Sequence, residues 1–119
     1  MGMVIKSTIF PLRVSFKKKE KWDLLVEVEN EDESDKKVSL RIELPLVASF
    51  GTVGTTSVYE KKFDKFRAKS KIELKFPVHM SNRAAEGSYF GKIRVEEHFN
   101  DYEHVERSYT KEIPFRIVE

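Results

Sequence analysis

The 119-residue sequence predicts an all-β fold, an antiparallel sandwich of about seven to nine strands. Three observations predict it. Apolar and polar residues alternate with period two over most of the chain, turn-forming residues separate the alternating runs, and no stretch keeps a helical period beyond about two turns. Such alternation buries one side of each strand and wets the other, as in antiparallel sheets packed face to face.

Val4 to Phe10 reads as a first strand, ended by Pro11, which cannot donate to a ladder. Leu12, Val14 and Phe16 then alternate with Arg13, Ser15 and Lys17. The cleanest runs follow: Trp22, Leu24, Val26 and Val28; Val38, Leu40, Ile42 and Leu44; Ile72, Leu74, Phe76 and Val78; Tyr89, Gly91, Ile93 and Val95; and Ile113, Phe115 and Ile117. Tyr59 to Phe63 reads as a short edge strand, and Val105 to Lys111 leads toward the last strand. "NEDESDK" (Asn30 to Lys36) and "FNDYE" (Phe99 to Glu103) are turns. "SNRAAEG" (Ser81 to Gly87) suits one helical turn, capped by Ser81 and stopped by Gly87. The predicted core is Trp22, Val26, Val28, Leu40, Ile42, Leu74, Phe76, Ile93, Val95, Phe115 and Ile117. One domain spans residues 1–119, with no internal repeat and no linker.

Composition narrows the function classes. With no cysteine, disulfides and thiol chemistry are excluded. Charged residues make up 35%, a Lys/Glu-rich usage of the kind seen in thermophiles. The 22 Lys+Arg nearly cancel the 20 Asp+Glu, and a net charge of +2 argues against nucleic acid as a partner. There is no membrane span, and Met1 to Lys21 lacks the long apolar run of a signal peptide. A full-length chain of this sequence is expected in the cytoplasm.

"LLVEVEN" (Leu24 to Asn30) and "KVSLRIEL" (Lys37 to Leu44) resemble the second and third strands of CARDB-type and related immunoglobulin-like domains. "SKIELKFPV" (Ser70 to Val78) resembles their fifth strand, and "EGSYFGKIRV" (Glu86 to Val95) their Gly-x-Tyr start of the sixth. The resemblance covers residues 12–117 and implies an immunoglobulin-like sandwich serving as an adhesion, spacer or docking module. It also implies that Tyr89 forms a tyrosine corner, its hydroxyl bonded to nearby backbone. The inter-sheet cysteines and central tryptophan of antibody domains are missing.

No catalytic constellation emerges, so no enzymatic activity is expected. GxSxG, GxGxxG and HExxH are absent, and "GTVGTTS" (Gly51 to Ser57) lacks the lysine of a phosphate loop. The expected function is a non-catalytic protein-interaction module that binds another protein or a copy of itself. Pro45 to Ser57 is a long uncharged loop carrying Val47, Phe50 and Val53, three candidate contact residues. The same loop could instead fold back over an open end of the core. A rival reading places a metal at the hairpin between His98 and His104.

In an immunoglobulin-like sandwich the turns after the second and sixth of these strands share one end. Asp32, Asp35, Glu97 and Asp101 would meet there as oxygen ligands of the type Ca²⁺ takes. No calcium-loop motif is present, which favours a solvated acidic pole facing a basic partner, opposite a basic end at Lys17 to Lys21 and Arg83. A third reading is a nucleic-acid-binding domain using Lys-rich edges. Lys17 to Lys21, Lys61 to Lys71 and Lys92 to Arg94 supply cations, with Phe63 and Phe66 interleaved as stacking groups. Against it stands the ordinary use of edge lysines, which keep sheet edges from pairing with other chains.

Overall fold

The computed structural model describes residues 2–11, 13–15, 17, 21–50, 57–80 and 84–118. Among them are nine strands in two packed sheets and no helix. None of them, accordingly, forms a helix long and apolar enough to cross a membrane. Strands β1 (Met3–Phe10), β3 (Trp22–Asn30), β7 (Lys71–Met80) and β5 (Ala48–Ser49) form a four-stranded sheet in that order. Strands β2 (Arg13–Ser15), β9 (Val105–Val118), β8 (Gly87–His98), β4 (Lys36–Glu43) and β6 (Val58–Phe66) form a five-stranded one. The fold is the all-β sandwich expected, with one departure from the antiparallel rule. β2 pairs with β9 in parallel, Val14 opposite Ile117.

The alternating residues decide the register. Val26 stands between Ser7 and Leu74, and Leu24 between Ile9 and Phe76, so the apolar phase of three strands falls on one side. In the other sheet Leu40 faces Val95 and Ile42 faces Ile93. The two apolar sides close on each other as a single core that holds Trp22, Val26, Ile42, Ile93, Phe115 and Ile117 out of water. Trp22 packs edge-on against Phe115 with ring centroids 5.0 Å apart. Leu74 and Phe76, expected in the core, pack against it but stay half-buried, because their strand lies toward the open side of its sheet.

Three local expectations change. Phe63 and Phe66 are three apart, so plain alternation would put them on opposite faces. A bulge sets the step from Phe63 to Phe66 against the shorter step from Lys36 to Val38. Phe66 is buried and Phe63 packs against the core, so neither is a surface stacking group. The segment after Pro45 folds back: Val47 is buried, Ala48 and Ser49 pair with β7, and Phe50 packs on Phe76 with centroids 5.3 Å apart. Val53 lies outside the described residues. Residues 84–86 carry no helical turn, and Ser81 to Arg83 lie outside the described set.

Tyr89 does what the resemblance implies. Its ring packs against the core, and its hydroxyl donates to the Ala85 carbonyl oxygen at 2.9 Å. Gly87, at φ 153°, leaves room for it: a Cβ there would sit 3.2 Å from that hydroxyl.

Candidate nucleic-acid interface

Because β4 and β8 pair with Lys37 opposite His98, the turns after β3 and β8 lie at one end of the sandwich. The turn between β6 and β7 joins them there, since Asn30 N–H donates to the Ser70 carbonyl. Asn30 is fully buried, and its side-chain amide donates to the carbonyls of Ser34, Phe66 and Arg67. It therefore pins one acidic turn to a basic one. Lys65 lies 3.7 Å from Asp35, Lys69 3.3 Å from Glu33, and Lys36 3.8 Å from Asp32. The acidic pole is thus matched by Lys36 at the start of β4, Lys65 on β6 and Lys69 in the third turn, the last two being neighbours that the acidic loop sequences alone do not reveal.

The proposed Ca²⁺ ligands are engaged separately. Asp32 and Glu97 both reach Lys36, and Glu97 is buried and accepts from the Tyr109 hydroxyl at 2.6 Å. Burial, then the Glu97 carboxylate, raises the Tyr109 phenol above its ordinary range. Asp35 accepts from the Ala68 amide. Asp101 closes its own turn, accepting from the Glu103 and His104 amides and from His104 Nδ1 at 2.7 Å. The His104 hydrogen bond is the main reason its carboxyl sits below the usual range. His98 instead pairs with Ser39 Oγ at 2.8 Å, so the two histidines do not converge. Among the described residues no group of three or more His, Asp or Glu side chains is placed to hold a metal.

The outer faces of the two sheets differ more. On the four-stranded sheet Lys6, Lys71 and Lys75 share the surface with Asp23, Glu27, Glu29 and Glu73. Lys71 lies 3.3 Å from Glu73 and 3.5 Å from Glu27, and Lys6 4.0 Å from Glu27. These contacts, Glu73 first, raise the Lys71 ammonium above its ordinary value. On the five-stranded sheet the outward positions hold Lys62, Lys37, Arg41, Lys92, Arg94, Arg116 and Arg13, against Glu43, Glu60, Asp64, Glu96 and Glu112, with Lys37 3.6 Å from Asp64. Register stacks several of them: Arg41 opposite Arg94, and Arg116 opposite Arg13. Arg41 is paired with Glu43 and Glu60. Among the described residues Lys92, Arg94, Arg116 and Arg13 have no carboxylate within ion-pair reach.

At the β6 side of this face a groove of about 190 Å³ opens between Ser39, Arg41, Lys62, Glu96, His98 and Tyr102. The Tyr102 ring has Lys37 Nζ 4.6 Å and Lys62 Nζ 4.9 Å from its centroid, and its hydroxyl donates to Asp64 at 2.5 Å. Burial and the Asp64 carboxylate push that phenol up to about 12. The Tyr102 hydrogen bond, helped by Lys37, holds Asp64 below the usual carboxylate range. At the far side of the face Phe90 is 57% exposed. It occupies the same outward phase of β8 as Lys92 and Arg94.

No family model matches the chain, and no curated protein matches it in sequence. Among solved structures it is similar to the Pseudomonas fluorescens alkylpurine DNA glycosylase AlkC bound to DNA containing an abasic site analog, with a TM-score of 0.59 and 13% identity. The match covers 97% of this chain and 30% of that one, so the likeness is of fold and spans under a third of the glycosylase. It corrects three expectations: a non-catalytic protein-interaction module, no enzymatic activity, and nucleic acid as an unlikely partner. A protein that carries this fold is an enzyme held on DNA.

Proposed function

We propose that this chain is a nucleic-acid-binding domain of the kind that forms part of a DNA-acting enzyme, and that it binds through the outer face of its five-stranded sheet. The observation that carries this reading is the likeness of nearly the whole chain to part of a glycosylase held on DNA. The unpaired cations Arg13, Lys92, Arg94 and Arg116 support the choice of face, since phosphate contacts by Lys and Arg supply most sequence-independent affinity.

Fluorescence anisotropy with a labelled oligonucleotide tests it. Binding should weaken linearly in log–log form as salt rises, as released counterions require. Retention that ignores salt, or no binding at low salt, would refute the reading. Release of an alkylated base from damaged DNA by the chain alone would extend the proposal from binding to catalysis.

A further inference from the structure

Phe90, the fourth residue of β8, is 57% exposed; Phe10 on β1 of the other sheet is more exposed still, so what sets Phe90 apart is the cations that share its side of β8. It projects from β8 two residues before Lys92 and four before Arg94, on the same side. Across the ladder it faces Pro114, with Arg116 opposite Ser88 and Lys92 opposite Glu112. Tyr89 and Gly91, its chain neighbours, turn into the core and fix its direction. An exposed ring set among unpaired cations fits a base flanked by phosphates. Inside a duplex both faces of each base are already stacked, so the ring has access only to unpaired nucleotides. Stacking of a base on an aromatic ring beside a cationic track is how single strands are held without sequence preference. An apolar protein surface would match the ring but leave Lys92, Arg94 and Arg116 unmatched.

We propose that the outer face of the five-stranded sheet takes a single-stranded nucleic-acid segment, with one base stacked on Phe90 and its phosphates on Lys92, Arg94 and Arg116. From Phe90 to the groove at His98 is about 27 Å along β8, at about 3.4 Å per residue, which is room for several nucleotides. This inference rests on the nucleic-acid reading above and narrows it to strands with unstacked bases.

The test compares an oligothymidylate of about 16 nucleotides, long enough for any single site of this sort, with a closed hairpin duplex of the same length. Phe90→Ala should weaken single-strand binding about ten-fold and leave duplex binding within about two-fold. Phe90→Trp should keep the affinity. It also introduces an indole at an exposed position, whereas Trp22 is fully buried, so quenching on adding single strand reads stacking directly. Equal losses on both substrates, an alanine variant that binds single strand like the parent, or an unquenched Phe90→Trp at saturation would overturn the stacking. A parent that binds only the duplex overturns it too and leaves the nucleic-acid reading standing. A parent that binds neither overturns both.

Discussion

The outer faces of the two sheets are built from the same alternating strands on opposite sides of one core, yet their charges are used differently. On the four-stranded sheet Lys6 and Lys71 sit in ion-pair reach of Glu27, and Lys71 of Glu73 too, while Lys75 has no such partner among the described residues. Exposed pairs of this sort contribute little stability and leave little field outside the surface. On the five-stranded sheet Arg94 and Arg116 stand in outward rows with no such partner among the described residues. A near-neutral chain can therefore carry a positive face, because the potential a ligand meets depends on the charges within about a Debye length, near 8–10 Å, and not on the sum.

Charge reversal is the strongest way to break this comparison. Replacing Lys92, Arg94 and Arg116 together by Glu should reduce oligonucleotide affinity by about a hundred-fold. Replacing Lys6, Lys71 and Lys75 together should leave it nearly unchanged. Equal losses in the two variants would make the net charge, and not the face, responsible. A smaller step sharpens the same contrast: Arg94→Ala alone should reduce the slope of log affinity against log salt by about one.

Two further substitutions examine the framework that keeps the faces apart. Asn30→Ala would strand the carbonyls of Phe66 and Arg67, which its amide satisfies. A loss of about 1–3 kcal/mol in chemical denaturation is expected. Tyr89→Phe removes one hydrogen bond at a more exposed site and should cost about 0.5–1.5 kcal/mol. A phenylalanine variant that melts like the parent would discount the tyrosine corner.

The smallest effect concerns Tyr102, at the edge of the basic face. Its folded phenol, pushed up to about 12, lies above the unfolded value near 10. The folded form therefore holds the proton more tightly. The resulting stability is complete below about pH 10 and is lost as pH rises through about 12. Alkaline titration of phenol absorbance should show a late step that Tyr102→Phe removes and Asp64→Asn moves down.

Much of the framework is legible in the sequence because alternation is a local property. Val26, Val28, Leu40, Ile42, Ile93 and Val95 declare their faces by spacing alone. What the spacing hides is where a ladder slips or gains a partner. The bulge opposite Lys36 turned Phe66 inward and removed the aromatic pair that seemed fit for stacking. Glu97 continues the inward phase of Val95, which its charge obscures, and it is sheltered there by Tyr109 and Lys36. The outward cations were hidden for a different reason: Arg41 and Arg94, and likewise Arg116 and Arg13, are far apart in the chain and become neighbours in two pairs only once the strand order is known.

The parallel pairing of β2 with β9 bears on how the chain comes to be folded. Arg13 meets Arg116, so β2 waits for a strand synthesised about a hundred residues later. At translation rates of about 5–20 residues per second, that wait is roughly 5–20 s. Until then β8 has an open edge and the cationic surface lacks two of its rows. With so many of its contacts between distant residues, the finished domain belongs among the millisecond-to-second folders. The proposed affinity for nucleic acid should thus arise late in the folding of this domain, after its core has begun to close.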